Sequence, residues 1–137
     1  MTIGDRCGAS TDWREMHRVR AVTLPLNFVS IHPYFKAHPG KLEAFKAGLP
    51  AFRAKTATEK GNLFYEFTIN GDEVFCREGY TGADALLAHL ENVGALLAEA
   101  FKIADLVRLE VHGPTAELDK LRAPLAHLKP EWFVCSA

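Results

Sequence analysis

The chain has 137 residues, 48% of them apolar and 24% charged, with a net charge of -1. That is enough for one buried core and too little for two ordinary domains. The charge balance gives no basic field to gather phosphates, which excludes nucleic acid as a partner, and no apolar run approaches the roughly 20 residues that cross a bilayer.

Residues 1–26 read as an N-terminal extension and residues 27–137 as the domain. Asp5, Arg6, Asp12, Arg14 and Glu15 interrupt the apolar stretch a signal peptide needs, so a cytoplasmic protein is expected. Trp13, Met16 and Val19 have the spacing of one turn of amphipathic helix. Cys7, Cys76 and Cys135 are odd in number and form no CxxC pair, the pattern of reduced thiols rather than a disulfide framework or a zinc site. Cys76 falls in a predicted strand as a small core residue.

From Asn27 the chain alternates, with Phe28, Ser30, His32 and Tyr34 on one side and Val29, Ile31, Pro33 and Phe35 on the other, which predicts a first strand. Pro33 cannot donate to a ladder, so the strand lies at an edge or is bulged there. Leu42, Phe45, Leu49 and Phe52 then recur at helical spacing, with Pro50 expected to kink or divide the helix. Two strands follow around Asn70-Gly71, a strong hairpin signal. Thr81 to Asp84 supplies polar caps for a second helix with the stripe Leu86, Leu87, Leu90, Val93 and Leu97, broken near Gly94 and resumed from Ala95 to about Ala104. Leu106 to His112 is a fourth strand ended by Gly113-Pro114. Thr115 to Leu118 has the look of a capping box opening a short helix that stops near Pro124, before a tail with Trp132 and Phe133.

The order β, α, β, β, α, β is the ferredoxin-like split βαβ arrangement, an α+β protomer with a four-stranded antiparallel sheet and an appended C-terminal helix. The crossover helices cover one face only, yet both faces carry apolar groups, so a second copy is expected on the uncovered face.

The first strand and its helix with Phe45, the pattern Glu59-Lys-Gly-Asn62 leading into Tyr65-Glu66, the strand Arg77-Glu78-Gly-Tyr80, and Ala88-His89-Leu90-Glu91-Asn92 together resemble the antibiotic-biosynthesis monooxygenase (ABM) domain over roughly residues 27 to 114. The resemblance implies a dimeric α+β barrel: a homodimer with a pocket in each protomer between sheet and helices. It also implies one of several chemistries, among them cofactor-independent oxygenation of phenols and quinols, haem degradation and isomerisation. In the oxygenases the deprotonated substrate gives an electron to dioxygen, so the protein needs a base, a hydrogen-bond donor and an apolar cavity.

His89 matches the family's helix histidine and is the first candidate base, since an imidazole titrates near neutral pH. Glu78 matches the acidic strand residue that orients it, and Tyr65 is the third catalytic candidate, a hydroxyl on an apolar body. Asn92, one turn beyond His89, is a candidate for orienting a substrate oxygen. Tyr80, His32, Arg77 and Trp132 complete the substrate-binding candidates, with Trp132 closing the pocket or capping the partner subunit. Against these stand blander readings: a packed histidine for His89, a cross-strand ion pair for Arg77 with Glu66, and core packing for the tyrosines and for Phe64, Phe67, Phe75 and Phe101. His32 and His112 meet if the first and last strands are neighbours. No HxH or HxxxH spacing argues for a metal, and no GxGxxG, P-loop or nucleophile elbow is present.

The expected function is therefore cofactor-independent monooxygenation of a small aromatic, phenolic or quinol-like molecule, with no metal or flavin. The alternatives are a non-catalytic ligand-binding or regulatory homodimer of the same fold, a haem-binding protein using His89 or His32, and a purely structural dimer with a filled interior.

Overall fold

The computed structural model describes residues 27–136; the extension, with Trp13, Met16 and Val19, lies outside the described residues. Strand β1 (Val29–Ala37) leads into helix α1 (Leu42–Thr56), then β2 (Asn62–Asn70) and β3 (Glu73–Tyr80). Helices α2 (Ala83–Asn92) and α3 (Gly94–Ala100), strand β4 (Ala104–Gly113), helix α4 (Thr115–Leu125) and strand β5 (Glu131–Val134) follow. The sheet order is β2-β3-β1-β4-β5, with the first four strands antiparallel as the ferredoxin-like order requires. The tail adds what the sequence reading lacks: β5 pairs in parallel with β4, making the sheet five-stranded and mixed.

β1 is central, with ladders to β3 and β4, and the register along β4 shifts between Tyr34 and Phe35. The proline is thus accommodated beside a bulge and not at an edge. Pro50 does not divide its helix; α1 runs through it for 15 residues, with Phe45, Leu49 and Phe52 buried. The hairpin turn sits one residue later than predicted, at Gly71-Asp72 between the paired Asn70 and Glu73. Of the two turn residues only Gly71 takes a positive φ, 60°, which a two-residue turn needs at its first central position and which glycine adopts without a Cβ clash.

Two helix starts differ from their predicted caps. Neither Thr81 nor Asp84 caps α2, and Thr115 makes no capping bond at α4. Instead Glu117, on α4, accepts the Ala83 amide at 3.1 Å and an ion pair from Lys120 at 2.9 Å, so one helix satisfies the orphan amide of another. α2 and α3 part at Val93, next to the expected break, and α3 ends at Ala100 because Ala104 already begins β4.

The described helices all pack on one face. Val29, Ile31, Leu109 and Val111 meet Leu86, Leu118, Leu121 and Leu125 in one buried cluster; Phe35, Val74 and Ala104 meet Phe45, Leu49, Phe52, Val93 and Ala100 in another. Truncating one such leucine to alanine costs about 2–5 kcal/mol. The seam between the clusters holds the site described below. No helix among the described residues is long and apolar enough to cross a membrane.

Candidate active site

Period-two alternation on β3 turns Val74, Cys76, Glu78 and Tyr80 toward the helices and leaves Phe75 and Arg77 on the open face. On α2, Leu86 and His89 lie three residues apart on the buried side. Strand and helix together place an imidazole over a carboxyl group at the wall of an apolar cavity of about 490 Å³. Phe35, Phe45, Phe52, Phe67, Leu97, Leu106 and Leu109 supply much of its surface, while Tyr65, Cys76, Glu78 and His89 are polar groups on it. Glu91 and His127 are its other ionisable lining residues.

His89 is 2% exposed and engages both ring nitrogens. Nδ1 lies 3.0 and 2.9 Å from the two carboxylate oxygens of Glu59; because a carboxylate only accepts, Nδ1 carries the hydrogen and donates it. Nε2 faces Oε1 of Glu78 at 3.4 Å. That same Oε1 accepts the Tyr80 hydroxyl at 2.8 Å. The rings of Tyr65 and Tyr80 stand 5.3 and 5.1 Å from the imidazole, tilted against it.

Burial removes the Glu78 carboxylate from water and pushes its pKa up to about 7; hydrogen bonds from Cys76 and Tyr80 pull it back, and the charge of Glu59 pushes it further up. The same desolvation lowers the pKa of His89, and Glu59 opposes that without reversing it. The Tyr65, Tyr80 and Cys76 protons are all held more tightly than usual, chiefly through burial. Near neutral pH the site therefore holds a neutral imidazole beside a carboxyl group poised between its two protonation states, a balance suited to giving and taking protons.

Of the residues expected from sequence, His89, Glu78 and Tyr65 converge on this cavity. Tyr80 is fully buried behind Glu78 and does not line the space; it holds the carboxyl group in place of contacting a ligand. Asn92 also lies off the cavity, its amide donating to Glu59 at 2.8 Å and to the Lys55 carbonyl at 3.0 Å. Arg77 is on the open face, paired with Glu66 at 2.8 Å, because an odd step along β3 from Glu78 reverses direction. His32 is on that face too, bonded to Ser30 at 2.8 Å and 4.5 Å, centroid to centroid, from His112, since β1 and β4 are neighbours. Trp132 packs against the first core cluster under the Arg122 guanidinium, away from the cavity lining. The residue that sequence reasoning missed is Glu59: it follows α1 in a Thr-Glu-Lys-Gly stretch that reads as a helix end, and its one signal was its place in the motif leading to Tyr65-Glu66.

No protein-family profile and no curated protein sequence matches the chain. Among solved structures, MupZ from Pseudomonas fluorescens is 48% identical, covering 81% of this chain and 92% of its own, with a TM-score of 0.78. Rv0793 from Mycobacterium tuberculosis is 24% identical over 64% of this chain and 95% of its own, with a TM-score of 0.58. A "Putative antibiotic biosynthesis monooxygenase" from Nitrosomonas europaea is 15% identical over 69% of this chain and 96% of its own, with a TM-score of 0.59. The latter two share the fold; the chain itself belongs to the family of MupZ, on the α+β architecture of the ABM-domain proteins.

Proposed function

We propose that this protein is an enzyme that moves protons to and from a small, largely apolar molecule, with Glu78 as the acid or base that faces the substrate. The observation that carries this reading is the Glu59-His89-Glu78-Tyr80 array, buried except at Glu59, that meets an apolar cavity at His89 and Glu78. A merely structural core would gain more from apolar side chains there, because several ionisable groups out of water cost free energy that hydrogen bonds only partly offset. Glu78 has the protonation balance for general catalysis near neutral pH, and Tyr65 offers a hydroxyl beside it.

A more specific form is cofactor-independent monooxygenation of a phenolic or quinol-like molecule, in which Glu78 takes the phenolic proton. The fold neighbours described as "putative antibiotic biosynthesis monooxygenase" favour it. Haem binding is disfavoured by the geometry: both nitrogens of His89 are engaged, and His32 lies on the other face of the sheet. We also infer a homodimer through the open face, where Phe64 and Phe133 remain exposed; light scattering of the full chain tests it, and a monomer at micromolar concentration argues against it.

The deciding experiment screens small apolar alcohols, phenols and carbonyl compounds for binding, then incubates the ligands found with the protein in heavy water, with and without air. Chemical change or deuterium uptake in both atmospheres supports acid-base catalysis, and turnover that needs air supports the oxygenase form. Tight ligands that neither react nor exchange leave a binding protein.

A further inference from the structure

Glu59 differs from the other ionisable members of the array in where it stands. It does not line the cavity, whereas His89 and Glu78 do. Its side chain is 11% exposed, against 3% and 5% for those two, and Lys55, Ala57, Thr58 and Lys60 around it are exposed. The imidazole thus separates a carboxylate that reaches solvent from a carboxyl group that reaches the cavity, with Nδ1 toward one at 2.9 Å and Nε2 toward the other at 3.4 Å.

We propose that Glu59, His89 and Glu78 form a proton conduit joining the cavity to solvent at the connection between α1 and β2, by a route separate from the cavity itself. The inference rests on the acid-base reading of Glu78 and adds how that group is reset. A proton taken up by the Glu78 carboxylate passes to Nε2 while Nδ1 releases its own to Glu59, which gives it to water. The imidazole is left neutral with its hydrogen on Nε2, and the next proton arriving at Glu59 enters at Nδ1, drives the Nε2 hydrogen onto Glu78 and restores the first tautomer. Charge and protons balance over the pair of passages, and the 3.4 Å gap closes by a few tenths of an ångström for each transfer.

Other groups around the imidazole serve the route without joining it. Asn92 fixes Glu59 through its amide, Tyr80 holds Glu78 from β3, and Tyr65 closes the ring from β2 with a proton it retains. The alternative path, through the cavity, is lined mostly by phenylalanine and aliphatic side chains, with few polar groups to hand a proton along it. An occupied cavity would block it altogether, which is when the acid needs to be reset.

The test requires no substrate. After a jump to higher pH on the full-length protein, the infrared carbonyl band of protonated Glu78, assigned by its loss in Glu78→Gln, reports how fast that group gives its proton to water. Glu59→Gln should slow it at least tenfold, because the amide neither takes nor passes a proton. Glu59→Ala should slow it as much and regain speed on addition of formate, a small carboxylate able to enter the gap. A Glu59→Gln rate within twofold of wild type, or a Glu59→Ala rate that formate leaves unchanged, overturns the conduit. Turnover is not read, so failure here leaves the acid-base role of Glu78 standing, and failure of that role leaves these rates as expected.

Discussion

The two faces of the sheet use the same residue types to opposite ends. On the helix-covered face, Glu78 is out of water and its pKa rises to about 7. On the open face, Glu110 accepts hydrogen bonds from Arg108 and Tyr34, and its carboxyl is held below the usual range, chiefly by Arg108. Arg108 also reaches Glu131 on β5, so the outer charges form a small solvated network. Side-chain identity does not separate the two glutamates; the dielectric around them and the partner each is given do. A cation answers the carboxylate of the open face, and a neutral imidazole and a phenol answer the buried one, which keeps its proton within reach.

If that contrast is what makes a site, substitutions on the two faces should differ sharply. The largest effect is expected from Glu78→Gln, which keeps shape and hydrogen bonding but cannot transfer a proton: kcat for any substrate found should fall about 10²–10⁴-fold with the fold retained by circular dichroism. A fall under tenfold would move the chemistry elsewhere.

The same group leaves a mark on stability. Because its folded pKa is raised, Glu78 stabilises the fold fully below its unfolded value near 4.5 and loses that contribution as pH rises through about 7. His89, with a lowered folded pKa, works the other way, weakening the fold as pH falls below about 6.5. Comparing wild type with Glu78→Gln isolates the first effect: the variant should gain about 3 kcal/mol relative to wild type between pH 4.5 and pH 8 in urea unfolding. A pH-independent difference would mean that Glu78 is ordinarily ionised.

Smaller effects bound the comparison. Glu117→Ala, which frees the Ala83 amide and unties α2 from α4, should cost about 1–2 kcal/mol and loosen the helix that carries His89; hydrogen exchange at Ala83 and its neighbours is the check. Arg77→Ala, on the open face, should cost no more than about 1 kcal/mol and leave turnover unchanged, since its partner Glu66 is as solvated as itself. A loss of activity there would give the outer face a part in the chemistry.

Much of this was legible in the residues. The alternation of β1, the helical stripe around Phe45 and the glycine turn place four strands and their covering helices, and the resemblance singles out His89 and Glu78. What stayed hidden depended on contacts distant in sequence. Glu59 is a loop residue whose meaning comes from an imidazole 30 positions away. Glu117 looked like part of its own helix's cap and serves a different helix. Asn92, placed correctly one turn from His89, was given to a substrate because nothing in the spacing reveals that a carboxylate lies between them. The strand Glu131–Val134 is only four residues long, too short for alternation to declare it, and forms because β4 offers it a free row of backbone groups.

That short strand shields one margin of the sheet. Along β4, backbone amides and carbonyls that would otherwise template another chain are occupied from Glu110 to Gly113, and the Cys135 amide extends the pairing to the Gly113 carbonyl. Among the described residues the opposite margin, β2, has no such cover and exposes Leu63 and Ile69. A chain cut after Leu128 would therefore bare the β4 margin, with self-association by strand addition and fibre growth, not simple unfolding, as its expected failure.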